Sequence, residues 1–261
     1  MLELADDVEP ADRQSSFART SLRWDNRRLY GLAAAVVYPV GLLSVRSTPL
    51  RAIAVLLLVE AVLIGLPWRV PRGRRSGASF WAESLCGTLA SIGAVVVVLV
   101  DRPGWLRSAG GWEWYPVAVL FAAGLILLSG LNLRAVLGGE LAFVLGPTRR
   151  SHSLARSYAT LVGAVGEELL FRAPVALWLR STPLAMLGAV GFVGRHYIPP
   201  GSNRRGALRG TLAELAAAAG LWGLTLASGS IYPAVLAHLL NNLPQLVVEL
   251  QRENGISEAG A

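Results

Sequence analysis

The chain has 261 residues, of which 53% are hydrophobic and 16% are charged, and its mean hydropathy is +0.49. This composition is too apolar for an ordinary soluble domain and is typical of one polytopic membrane domain. The formal charge is +7, but the arginines fall in short clusters between apolar runs. That pattern is typical of topology-setting loops and excludes nucleic acid as the expected partner. The single cysteine, Cys86, excludes an intrachain disulfide framework and a cysteine metal cluster.

Polar segments are found at both ends of the chain. Residues 1–28 mix acidic and basic side chains with few large apolar ones, which predicts a disordered cytoplasmic arm. Residues 251–261 predict a polar C-terminal tail. Residues 29–250 are therefore expected to form a single transmembrane domain.

Eight apolar segments divide this domain, each near the roughly 17 to 25 residues that cross a hydrocarbon core as a helix. The predicted spans are 29–45, 50–68, 80–100, 115–137, 158–179, 182–198, 207–227 and 231–250. When loops are assigned alternately to the two sides, the arginine-rich loops collect on one side, which places both termini in the cytoplasm. The expected fold class is all-α, a polytopic transmembrane helical bundle of about eight spans.

The most informative stretch is 161–174, LVGAVGEELLFRAP, which sets three charged side chains in an otherwise apolar run. A charge at bilayer depth costs roughly 2.5 to 3.5 kcal/mol on insertion scales, so Glu167, Glu168 and Arg172 together predict a buried polar site. The spacing of four predicts an ion pair between Glu168 and Arg172 on one helix face. Glu167 is turned by about 100° from Glu168, which leaves it free to face a cavity.

Two later spans carry further polar pairs at the same spacing. Phe192 lies four residues before His196, and His238 lies four before Asn242, so each pair shares a helix face. The spacing allows a site in which Glu167 and His196 share an attacking water while His238 and Asn242 face the carbonyl oxygen that becomes negative. Amide hydrolysis requires both a base for the water and donors for the oxyanion.

The same side chains could instead bind a metal ion. Two histidines and a carboxylate, here His196, His238 and Glu167, suit a catalytic Zn²⁺ that activates water. The helical HExxH spacing and a compact ligand cluster are both absent from the sequence. Spacing alone therefore leaves metal dependence open.

Two more carboxylates lie within predicted spans. Glu60, in the second span, is interpreted as an interhelical hydrogen-bonding or packing residue, with service to the site as the alternative. Glu214, in the seventh span, is ambiguous between packing and contact with the site.

The polar residues form three motifs that resemble those of a known family. GEELLFR at 166–172 is similar to the EExxxR motif of the CPBP family of intramembrane proteases, also called the CAAX prenyl protease 2 or abortive-infection family. Phe192 to His196 resembles its FxxxH motif, and His238 to Asn242 its HxxxN motif. Each motif is weak alone, but the three appear in the family's order, over about 158–250. The resemblance therefore specifies the family.

The resemblance implies an all-helical membrane endopeptidase. In this family's pattern Glu167 and His196 would activate water, and His238 and Asn242 would stabilise the oxyanion. The implied supporting residues are Glu168, Arg172 and Phe192. Members are often labelled metalloproteases, and a metal-independent glutamate mechanism is also attributed to the family, so the resemblance leaves a zinc cofactor open.

The sequence departs from the family pattern after the first motif and around the second. Arg195 directly precedes His196, a PPG break follows at 199–201, and Ala173-Pro174 stands where the family commonly has a glycine. The break predicts that His196 lies nearer the membrane edge than Glu167 and His238.

The expected partner is a membrane-associated or lipidated peptide or protein within the lipid bilayer. All 24 basic residues are arginine, which favours a bacterial source and hence the bacterial inner membrane. Two alternatives stay open at this point. One is a non-catalytic membrane immunity or interaction protein on the same scaffold. The other is a proton-coupled transporter, since proton relays also use intramembrane Glu, His and Arg, although no inverted repeat is visible.

Overall fold

A computed structural model of the chain describes residues 26–65, 77–197 and 204–259. Within these ranges every regular element is helical and no strand is present, which confirms the all-α prediction. The disordered arm predicted for 1–28 lies outside the described residues except for 26–28, which begin the first helix. The arginine-rich loop 69–75 lies outside them entirely.

The described ranges contain ten α-helices, a 3₁₀ turn at Gly104–Arg107 and a π-helical segment at Glu168–Trp178. The α-helices are α1 Asn26–Leu43, α2 Thr48–Gly65, α3 Gly77–Asp101, α4 Trp114–Ser129, α5 Leu133–Leu137, α6 Glu140–Leu145, α7 Arg150–Glu167, α8 Thr182–Tyr197, α9 Arg204–Ser228 and α10 Tyr232–Ala259.

The fourth predicted span, 115–137, is not one helix. α4 ends at Ser129 because Gly130 adopts a left-handed conformation with φ of 75°. The side chain of Asn132 then accepts a hydrogen bond of 3.2 Å from the Ala135 N–H and begins α5. The apolar run is therefore divided by a glycine stop followed by an asparagine cap.

Two predicted boundaries also differ from the structure. The segment 138–157, interpreted from the sequence as a loop, contains α6 and the first two turns of α7. The tail predicted at 251–261 is helical to Ala259, because α10 continues beyond the apolar run. Contacts between distant segments stabilise both: Ser153 Oγ donates to the carbonyl of Glu249, and Arg252 Nε donates to the carbonyl of Gly146.

Two helical stretches among the described residues are long and apolar enough to cross a membrane. They are Phe80–Asp101, with a mean hydropathy of 2.0, and Gly210–Ser228, with 1.3. Leu29–Leu43 and Trp114–Ser129 are apolar but shorter. Helix length and composition thus do not confirm the predicted count of eight spans. The outer faces of the helices are nevertheless apolar, and Val100 and Leu120 are 78% and 73% exposed.

The π-helical segment lies at the centre of the helix packing. α1 packs on α8 and α2, α7 packs on α3 and α10, and the π-helical segment contacts α7, α8 and α9. The main apolar cluster includes Tyr38, Ile53, Leu170, Phe171 and Phe192, each at most 4% exposed. The π-helical segment is therefore buried from Glu168 to Ala176.

The π-helical winding follows from Pro174. In a continuous α-helix the N–H of residue 174 would donate to the carbonyl of Leu170, and proline has no N–H. The hydroxyl of Tyr38, from α1, donates to that carbonyl instead at 3.2 Å. The uniform helix expected over 158–179 is thus replaced by wider turns that start directly after Glu167, a placement often seen at functional sites.

A glycine sets the approach of α7 to α3. A Cβ atom at Gly166 would lie 2.0 Å from the Cβ of Ser91 and 2.5 Å from its Cα. We expect Gly166→Ala to lower the free energy of unfolding by about 1 to 3 kcal/mol, because the helices must separate. Thermal unfolding in detergent measures this loss. Gly87→Ala, on α3 with open space around its Cβ position, is the control and should be neutral or slightly stabilising. Equal stability of both variants would contradict the close contact.

Candidate active site

The adjacent carboxylates of the first motif point to different partners. Glu167 ends α7 and Glu168 begins the π-helical segment. Glu167 is 8% exposed and Glu168 is fully buried. Buried carboxylates are stable only when they are paired or hydrogen-bonded, and each of the two finds its own set of partners.

Glu168 lies between an arginine and a histidine. Its Oε1 is 3.5 Å from Nη1 of Arg172, the pair that the spacing of four predicts, and 2.8 Å from Nδ1 of His238. The guanidinium carbon of Arg172 lies 4.1 Å from the ring centre of Phe192, a cation–π contact. Glu168 therefore fixes the ring of His238 and links the first and third motifs.

The ring of His196 is held by its own helix. Its Nδ1 is 2.8 Å from the carbonyl oxygen of Phe192, so Nδ1 carries the donated proton and Nε2 of the neutral ring is an acceptor. His196 is exposed, whereas Glu167 and His238 are buried. The difference in exposure has the direction that the PPG break predicts.

Glu167 contacts two other side chains of the site region. Its Oε1 accepts a hydrogen bond from Nη1 of Arg195, and its Oε2 is 3.7 Å from Nε2 of His238. Nη2 of Arg195 is 2.7 Å from Oε1 of Glu60, which is buried in α2. One arginine thus joins two carboxylates from different helices.

All four residues predicted to be catalytic line one cavity of 340 Å³. Glu167, His196, His238 and Asn242 share it with polar side chains from α3, α7 and α10. Those polar neighbours are Ser84, Arg156, Thr160 and Gln245. The cavity brings a carboxylate, two imidazoles and an amide together in a polar setting, as the helical spacings require.

A second cavity of 220 Å³ adjoins the same side chains from the other direction. His196, His238 and Asn242 line both cavities. The walls of the second cavity are mostly apolar, with Leu125 and Leu221 among them. Glu214 and Asn241 also line this cavity. The sequence left open whether Glu214 contacts the site region, and the structure places it there.

The described residues do not form an arranged metal site. No group of three or more His, Cys, Asp or Glu side chains within 26–65, 77–197 and 204–259 is placed to hold an ion. Glu167, His196 and His238, the residues suggested for Zn²⁺, therefore do not form such a group in this structure.

The sequence does not predict the contacts of Arg195 with Glu167 and Glu60. In the motif Arg195 is only a departure, and the sequence favours a packing interpretation of Glu60. One signal is present in the sequence: each is a charged side chain within an apolar run, and a buried charge requires a partner of opposite charge.

Fold and site together define a class: a helical protein with apolar outer faces and a cavity lined by Glu, His and Asn side chains. Residues 151–244 match the family model described as type II CAAX prenyl endopeptidase Rce1-like. The match includes all three motifs and confirms the resemblance drawn from them. The family is one of membrane-embedded endopeptidases, and the matched segment makes up less than half of the chain. No significant match was found among curated proteins or solved structures.

Proposed function

We propose that this protein is an intramembrane endopeptidase that hydrolyses a peptide bond of a membrane-associated or lipidated protein. The observation that carries the proposal is the convergence of Glu167, His196, His238 and Asn242 on one 340 Å³ cavity. The family match supports the reaction class. Peptide hydrolysis needs a base for water and donors for an oxyanion, and the cavity offers candidates for both.

Glu167 and His196 form the half of the site that activates water. Oε2 of Glu167 is its oxygen not bonded to Arg195, and Nε2 of His196 is an acceptor because Nδ1 donates to Phe192. A water held by these two atoms loses a proton to Glu167 as its oxygen bonds to the carbonyl carbon of the substrate. The result is a tetrahedral oxyanion.

His238 and Asn242 form the half that receives the oxyanion. The Nδ1–H of His238 donates to Glu168, which fixes the ring with Nε2 on the side of Glu167. The side-chain amide of Asn242 donates to the oxyanion, as does Nε2 of His238 when the ring is protonated. The C–N bond then breaks, and the proton on Glu167 passes to the leaving nitrogen. The products are a new carboxylate and a free amine.

The setting of this reaction is the lipid bilayer. We assign eight spans with both termini in the cytoplasm. With eight spans, every second loop lies on the same side of the membrane, and the arginine clusters fall on that side. The apolar outer faces of the helices also favour a bilayer. Four α-helices of the described part, α4, α5, α6 and α8, are shorter than 18 residues. A span that is shorter than the hydrocarbon core is accommodated by locally thinned lipid or by flanking side chains that reach the interface. The arginine-only basic composition favours a bacterial inner membrane.

Asn242 provides a graded test of the proposal. We expect Asn242→Ala to lower kcat by about 10²- to 10³-fold, the loss typical of one oxyanion donor, with a smaller change in KM. The purified protein in detergent would be assayed against C-terminal peptides with and without an isoprenyl group, and the fragments identified by mass spectrometry. Gln245→Ala is the control, since Gln245 lines the same cavity one turn further along α10.

The assay has three informative outcomes. Cleavage by the parent that falls in Asn242→Ala and persists in Gln245→Ala supports the assignment. Equal rates for the parent and Asn242→Ala remove this residue from the reaction. A folded parent that cleaves no peptide of the panel contradicts the proposed activity and favours the non-catalytic scaffold.

A further inference from the structure

Arg195 holds two carboxylates at once, and one of them is the proposed base. Its Nη1 donates to Oε1 of Glu167, and its Nη2 lies 2.7 Å from Oε1 of Glu60. The side chain of Arg195 is 15% exposed and that of Glu60 is 2% exposed. The planar guanidinium suits this arrangement, because its N–H groups point in fixed directions that a flexible ammonium cannot reproduce.

The contact leaves Glu167 with one oxygen committed and one available. Oε1 is bonded to Arg195, while Oε2 lies toward His238, 3.7 Å from its Nε2. A carboxylate without this anchor could rotate about its terminal torsion, which is broad for glutamate. Fixing one oxygen therefore fixes the direction in which the other faces the cavity.

Arg195 lies in a network of charged side chains in which Glu60 is its second partner. Glu167 is faced by Arg195 and His196 from α8 and by His238 from α10, and Glu60 is faced by Arg195. A buried arginine with one carboxylate partner can swing to follow it, whereas a second buried partner holds it in place. Glu60 performs this function from α2, outside the family match at 151–244.

We propose that Arg195 and Glu60 are positioning residues of the hydrolytic site, with Glu60 fixing Arg195 and Arg195 fixing the carboxylate of Glu167. The inference rests on the proposed function, since it assigns these residues a role in the same reaction. It extends the working site beyond the matched segment to α2. Neither residue touches the substrate in this account.

The test compares kcat, KM and thermal unfolding for four variants in detergent. Arg195→Met is expected to lower kcat by about 10²-fold with KM nearly unchanged, because small misplacements of a catalytic group cost rate rather than binding. Arg195→Lys keeps the positive charge but loses the planar guanidinium that can donate to both carboxylates. We therefore expect its kcat to lie between those of the parent and Arg195→Met. Glu60→Gln should lower kcat by less than Arg195→Met does, since Arg195 still contacts Glu167.

The double variant separates positioning from general stability. Arg195→Met leaves two buried carboxylates without their shared cation, so adding Glu60→Gln should raise the unfolding temperature above that of Arg195→Met. The kcat should stay at that of Arg195→Met, because Glu60 acts on Glu167 only through Arg195. Such non-additivity is expected for residues in one network. The control is Arg252→Met: Arg252 lines neither cavity and pairs with Glu249 at 3.2 Å, with side-chain exposures of 12% and 8%, and Glu249 keeps Arg156 as a partner at 2.8 Å. It should change the unfolding temperature without changing kcat.

The outcomes keep this inference distinct from the proposed function. A Glu167-dependent peptidase whose kcat is unchanged in folded Arg195→Met and Arg195→Lys overturns the inference and leaves the function standing. Loss of kcat that only follows loss of folded protein, in Arg195→Met and Arg252→Met alike, also overturns it. The absence of Glu167-dependent cleavage in the parent overturns the function and the inference together.

Discussion

Replacing Glu167 by glutamine is expected to reduce the rate of peptide cleavage by about 10²- to 10⁴-fold, the usual contribution of a general base. Glutamine keeps the shape and an oxygen that accepts from Arg195, but it cannot take a proton from water. The fold should tolerate the change, because Arg195 still has Glu60 as a counter-charge. The measurement is the initial rate of cleavage of one peptide by equal amounts of folded parent and variant.

An exposed carboxylate supplies the control for this substitution. Glu140 lies at the start of α6, is exposed and lines neither site cavity, so Glu140→Gln should cleave at the parent rate. A Glu167→Gln protein as active as Glu140→Gln would mean that another group activates the water. His196 would then be the remaining base on the cavity wall.

Replacing Arg172 by methionine is expected to destabilise the protein by about 3 to 5 kcal/mol, the cost of breaking a buried ion pair by removing one partner. Glu168 is fully buried and would keep only His238 among its described partners. The cation–π contact with Phe192 would also be lost. Chemical or thermal unfolding in detergent measures the change.

A double variant shows whether the loss comes from the stranded charge. Glu168→Gln combined with Arg172→Met removes both charges and should be more stable than Arg172→Met alone. Arg134→Met, at an exposed arginine of α5, is the control and should stay within about 0.5 kcal/mol of the parent. A stable Arg172→Met protein would contradict the burial of this pair.

Local periodicity predicts much of the site. The spacing of four was enough to pair Glu168 with Arg172 and to place His238 and Asn242 on one face, because both relations lie within a single helix. The order of the three motifs then identified the segment from which the cavity is built. Long apolar runs likewise predicted the all-α fold.

Contacts between distant helices were beyond this reasoning. The partner of Arg195 is 135 residues away at Glu60, and the hydroxyl that serves the Leu170 carbonyl comes from Tyr38, 132 residues away. No periodicity relates such positions. Pro174 signalled a disturbed helix, but the π-helical winding depends on how α1 packs against it.

The most direct test of the account is peptide hydrolysis in ¹⁸O-labelled water by the purified protein and by its Glu167→Gln variant. The account predicts that the parent releases two fragments, with one ¹⁸O atom in the new carboxylate, and that the variant releases almost none. An intact peptide after incubation with the folded parent, or identical labelled fragments from both proteins, would contradict it.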